Sequence, residues 1–266
     1  MKISQNTVLK TSFLFITYYL LNAILSATLY LTLGKEIIET PHINADLLLL
    51  IDTFVYSISF LFFYFIIFRK ENYINDFNKR NILPQIITVC SLILFYRILI
   101  APFYRVDIIM GIEQVPDFKE SISTPIKNTL TVLNTVLIIP FLEELVFRKF
   151  ILGKLRKQNS MLFAILFSSF LFSLNHLSLI TINYSSIFNS FFLGIILGVI
   201  FVRYGLLYSI IAHIFFNLLW FLIKEYSHIY WNIERIMNFN LLYFTCTGLA
   251  LFIIIVLVRR LLKTRD

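Results

Sequence analysis

Two adjacent glutamates, Glu143 and Glu144, sit with Arg148 in PFLEELVFRKF (residues 140–150), among Phe, Leu and Val. Two later stretches carry polar groups of complementary chemistry. FSLNH (172–176) ends on His176, and HIFFN (213–217) begins with His213 and ends with Asn217. A glutamate shielded from bulk water can take a proton from a bound water molecule. An imidazole and an amide N–H can stabilise the oxyanion that such a water creates on a carbonyl, by a few kcal/mol. The same residue types also build proton relays. Glu144 and Arg148 alone, four apart on one helical face, would make a buried ion pair beside a protonated Glu143.

The elements that must position these groups are set by composition. Of 266 residues, 59% are hydrophobic and only 14% charged, with mean hydropathy +0.83. A soluble domain would carry about a quarter charged residues. Several apolar runs reach the ~20 residues that cross a hydrocarbon core as helix, and no polar segment is long enough to form a soluble domain. The expected fold is an all-α, polytopic membrane helix bundle. Its eight spans are placed at about 9–33, 47–68, 82–104, 130–153, 160–181, 186–203, 205–224 and 239–258. Helix is required because lipid offers backbone groups no other partner. The first run is longer than a signal-peptide core of roughly 7–15 residues, so it reads as a retained span.

With the N-terminus inside, sixteen of the 23 Lys and Arg residues fall on inner segments. The positive-inside rule then puts both termini in the cytoplasm, as an even number of spans requires. The net charge of +8 follows from topology and contact with the anionic lipid bilayer, so no nucleic-acid partner is needed. Abundant Ile, Asn, Phe and Lys suggests an AT-rich bacterial genome, hence a multi-pass protein of a bacterial plasma membrane. Cys90 and Cys246 both lie in apolar runs, which argues against a disulfide framework. His42 and His228 fall in outer loops and read as solvated.

Depth then separates the remaining polar residues. Glu143 and His213 come out near mid-membrane, and His176 about 6 Å beyond its span's centre at ~1.5 Å per residue. Charges there are costly, face the protein interior and mark function. Two acids, two imidazoles and one amide in one slab of three helices therefore constitute a site. Pro140, which lacks an N–H, should weaken the helix one turn before the acids. Asp52 and Arg97, at similar depth toward the outer side, read as a structural ion pair in preference to a substrate contact. Gly194 and Gly198 form a small-xxx-small pattern that suits close helix packing.

In order along the chain, EELVFR (143–148), FSLNH (172–176) and HIFFN (213–217) reproduce E-E-x-x-x-R, F-x-x-x-H and H-x-x-x-N. This pattern resembles the CAAX protease and bacteriocin-processing (Abi) family of intramembrane proteases, over roughly residues 125–225. The implied layout is three N-terminal helices in 1–124, a catalytic core in 125–225, and a last helix with a basic tail in 226–266. The resemblance implies that Glu143 activates the attacking water and that His176 shares it. It implies that His213 and Asn217 stabilise the oxyanion, while Glu144 and Arg148 orient the set. It leaves the cofactor as either none or a single Zn2+ held by Glu143, His176 and His213, a set that could fill a His₂Glu shell. The implied partner is a membrane-embedded or lipid-anchored peptide or protein substrate, with pheromone or bacteriocin processing or self-immunity as associated roles. A non-catalytic scaffold or immunity protein, and a proton-coupled carrier, are the competing classes.

Overall fold

The computed structural model describes residues 4–33, 82–100, 132–177, 184–225 and 241–263, with short runs between 51 and 65. Every regular element among these is helical. They are α1 (Gln5–Leu33), α2 (Ile82–Ile100), α3 (residues 132–158), α4 (Met161–Leu174), α5 (Tyr184–Tyr204), α6 (Leu206–Glu225) and α7 (Leu241–Lys263). Described positions between 51 and 65 are helical too, so each of the eight expected spans contains helix. Asp52, His42 and His228 lie outside the described residues. Cys90 and Cys246 are free thiols.

Gln5–Leu25, Ile82–Ile100, Ser186–Tyr204 and Phe244–Leu261 are long and apolar enough to cross a bilayer. Met161–Leu174 and Leu206–Leu222 are apolar but shorter. Large apolar side chains such as Phe13, Leu83, Phe170 and Phe252 point outward, where only lipid would tolerate them. The chain is thus an all-α, multi-pass membrane bundle. Burial covers 61% of the α5 span against 17% for those of α1 and α7, so α5 is central and the other two are peripheral.

The closest packing is that of α5 along α4. A Cβ placed on Gly194 would come 2.9 Å from Cβ of Ser169, and one on Gly198 would come 3.1 Å from Cγ2 of Ile165. The small-xxx-small pattern therefore sets the distance between these two helices. Helix α6 returns from α5 through Gly205 alone, whose φ of 95° is the left-handed conformation that glycine adopts without strain. It then packs against α2, α3 and α5.

Helix α3 is not a uniform helix. Val132–Ile138 and Leu145–Leu152 are π-helical, and between them Ile139–Glu144 is α-helical, as is the closing Gly153–Gln158. Pro140 has no N–H to give to the carbonyl four residues back, and a π register passes over that missing donor. Sequence reasoning expected a kink here and did not foresee the wide turns. At one end of the bundle, Ser4 N–H donates to Oδ1 of Asn159 at 2.7 Å and Thr7 donates to Gln158, fastening α1 to the α3–α4 corner. Ser160 then caps α4, its hydroxyl accepting from Phe163 N–H.

Two expectations need correction. The fifth span was drawn to residue 181, but α4 ends at Leu174 and His176 lies in the turn beyond it. The polar pair Asn175–His176 gives that end its stop: the Phe172 carbonyl accepts both the Asn175 backbone N–H at 3.2 Å and His176 Nδ1 at 3.0 Å. Arg148, counted among the inner flanking cations, is fully buried within the bundle and belongs to no such flank.

Candidate active site

The short α-helical stretch Ile139–Glu144 presents its two glutamates in different directions, as consecutive helical residues must. Glu143 lines a cavity of about 460 Å³, together with His176, His213 and Asn217. That volume suits a peptide-sized ligand. Glu144 and Arg148 do not line it. They lie behind it, with Arg148 Nε donating to Glu144 Oε2 at 3.2 Å.

Glu144 is the hub of the hidden layer. Besides Arg148, it receives the Ser209 hydroxyl and, at 3.1 Å, Nδ1 of His213. Three donors on one buried carboxylate offset the cost of removing it from water. They also fix the His213 ring, since a hydrogen bond at Nδ1 decides where Nε2 points. Nε2 lies 3.8 Å from Glu143 Oε2, longer than a hydrogen bond, and on the cavity wall. Glu143 itself is held by Asn175, whose Nδ2 donates to Oε1 at 3.0 Å.

Phe172 is the mechanical support. Its ring stands edge-on to His176 at 4.8 Å, to His213 at 5.7 Å and to Phe147 at 5.3 Å between centroids. The Arg148 guanidinium lies 4.8 Å from the same ring, a cation–π contact on a cation that has no water around it. Ser168 of α4 donates to the Phe147 carbonyl at 2.8 Å, tying α4 to α3 beneath this cluster.

All six residues singled out from sequence fall in one region: Glu143, His176, His213 and Asn217 at the cavity, Glu144 and Arg148 behind it. Asn217 is constrained more than expected, since its Nδ2 donates to the Thr135 carbonyl at 2.8 Å, leaving its second N–H unspent there. Two partners went unnoticed in the sequence. Asn175 adjoins His176, and Ser209 is one helical turn before His213 on the same face, a spacing that could have found it. Arg97 was expected to pair with Asp52, which lies outside the described residues. Arg97 lines the cavity from α2, stacked on Phe216 and Trp220 of α6.

Among the described residues, no three His, Cys, Asp or Glu side chains are arranged to hold a metal ion. Nδ1 of His213 is engaged by Glu144 and Nδ1 of His176 by the Phe172 carbonyl, which leaves Nε2 of each ring for the cavity, and Glu143 is held by Asn175.

No curated protein and no solved structure matches the chain. Residues 125–219 match the family model of type II CAAX prenyl endopeptidase Rce1-like proteins. That segment spans α3 to α6 and contains every cavity-lining residue of the three motifs. Over that segment the chain is similar to the type II CAAX prenyl endopeptidases.

Proposed function

We propose that this protein hydrolyses peptide bonds of membrane-embedded or lipid-anchored peptides in the cell membrane, with Glu143 as general base and no metal in the reaction. One observation carries the reading: α3, α6 and the turn after α4 bring Glu143, His213, Asn217 and His176 to a single cavity. Glu144 and Arg148, which lie behind the cavity and do not line it, hold His213 in place.

The chemistry follows from the free atoms. Glu143 takes a proton from water, whose oxygen attacks the carbonyl carbon of the scissile bond. His176, with its Nδ1 proton on the Phe172 carbonyl, offers the Nε2 lone pair as a second acceptor for that water. Negative charge develops on the carbonyl oxygen, and the remaining Asn217 N–H stabilises it. His213 assists through Nε2–H, while its Nδ1–H stays hydrogen-bonded to the Glu144 carboxylate. When the C–N bond breaks, the proton on Glu143 passes to the departing amine, and the carboxylate is restored.

The test uses full-length protein reconstituted in bilayers with a library of apolar peptides. Wild type cleaves members of it, Glu143→Gln does not, and a metal chelator leaves the wild-type rate unchanged. Cleavage that survives Glu143→Gln contradicts the assignment of the base. A rate abolished by chelation and restored by zinc contradicts the metal-free chemistry.

A further inference from the structure

Helix α5 closes the cavity with groups that belong to none of the three motifs. Ser186, Asn189, Ser190 and Leu193 line it from that side. Spaced three to four residues apart, they form one stripe of the helix. Ser190 is 8% exposed, and among the described residues its hydroxyl has no hydrogen-bond partner. A serine in an apolar helix ordinarily returns its hydroxyl to the carbonyl one turn back. Ser169 of α4 does so, donating to the Ile165 carbonyl at 2.7 Å. Ser190 instead keeps both its proton and its lone pairs for the cavity. The backbone beside it is fixed, since the Tyr96 hydroxyl of α2 donates to the Asn189 carbonyl at 2.7 Å. A polar group so deeply buried costs free energy until something bonds to it.

A peptide main chain needs such a group. Within a membrane helix, each N–H and carbonyl is spent on the helix ladder, and side chains screen the carbonyl carbon. Attack by water requires the helix to open, which strands main-chain groups where lipid offers them no partner. We propose that Ser190 hydrogen-bonds a main-chain amide of the bound peptide and holds it unwound in the cavity that Glu143 lines. Leu193 and Phe216, on the same walls, take up its apolar side chains. A hydroxyl that reads the main chain selects conformation and not side-chain identity. The favoured substrates are therefore apolar segments that unwind at little cost, such as those interrupted by Gly, or chain ends already extended. The unspent hydroxyl stands on the cavity geometry, whereas the peptide as its occupant rests on the peptidase reading above.

Single-atom changes in the peptide test the bond directly. Full-length Glu143→Gln protein in lipid nanodiscs is titrated with a short fluorescent apolar peptide, and with versions in which one amide at a time is an ester. An ester lacks the N–H and accepts more weakly at its carbonyl, so it reports either role of the hydroxyl. Adding Ser190→Ala weakens binding of the all-amide peptide ~3- to 10-fold, the worth of one hydrogen bond. An ester at one or two positions does the same to the protein that keeps Ser190. The two changes together cost no more than either alone, because they delete the same bond. Ser190→Thr, which retains a hydroxyl, retains the ester's effect. Thermal unfolding is unchanged by Ser190→Ala, since the side chain has no partner within the protein to lose. Affinity unmoved by Ser190→Ala overturns the proposal, as does a complete lack of peptide binding. Losses that multiply at every ester position also overturn it and mark Ser190 as structural. Wild-type protein is then given the same peptides. The predicted binding pattern without cleavage contradicts the peptidase reading and leaves the main-chain bond standing. Cleavage whose kcat/KM is indifferent to Ser190→Ala overturns the main-chain bond alone.

Discussion

Glu143 and Glu144 are chemically identical neighbours whose surroundings assign them different work. Glu143 has one donor, Asn175, and a face on the cavity, whereas Glu144 has three donors and none. Replacement of Glu143 by Gln should lower kcat about 10²–10⁴-fold, the usual worth of a general base, with little loss of stability. A base works only when unprotonated, so wild-type activity should fall as pH is lowered, and the acid limb of the profile belongs to Glu143. Loss of Asn175 to Ala should lower kcat more than it raises KM and displace that limb, because the carboxylate loses the donor that orients it. A pH profile unmoved by Asn175→Ala would leave Asn175 a structural residue. Arg148→Ala tests the hidden layer: with its cation gone, Glu144 is buried beside too few donors, at a cost of about 3–5 kcal/mol. Thermal unfolding of the purified protein measures this loss, which Glu143→Gln should not share.

At the scale of elements, the motifs were legible because each is a polar group repeated at helical spacing within an apolar run. Glu144 and Arg148, or His213 and Asn217, share a face by counting alone. The partners supplied by other helices could not be counted this way. Asn217 meets the Thr135 carbonyl and His213 meets Glu144 only because α6 packs on α3. The π turns around Pro140 were hidden for a related reason: a missing N–H can be answered by a kink, a break or a wide turn, and tertiary packing selects among them. The end of α4 was misplaced because hydropathy continues past Leu174, while the stop is made by side-chain and backbone hydrogen bonds of Asn175 and His176. Glycine at 194 is a sharper case of sequence pattern becoming contact. Gly194→Ala should destabilise the bundle by about 1–3 kcal/mol, since α5 must retreat from Ser169. Unchanged thermal stability would show that the helices can separate without loss.

The whole molecule joins these pieces by burying polar chemistry inside an apolar bundle. Composition was enough to anticipate an all-α membrane protein, because 59% hydrophobic residues leave no other way to cover the surface. Outward-facing Phe and Leu side chains mark the lipid contact, and the inward face keeps its few charges together. The number of membrane-crossing helices is less directly written. Four described stretches satisfy length and apolarity, while α4, of 14 residues, ends at the turn that carries His176. Arg97 shows the same compromise, a cation retained deep in the bundle by two aromatic rings at the edge of a cavity. The central claim is that this cavity cuts peptides within the membrane. It is tested most directly by a survey of peptide termini in membranes and medium from cells carrying wild type, Glu143→Ala or a deletion. The account predicts termini present only with the wild type and absent from both other strains. If Glu143→Ala cells matched wild type while the deletion differed, the protein would act by binding, and the catalytic assignment would be contradicted.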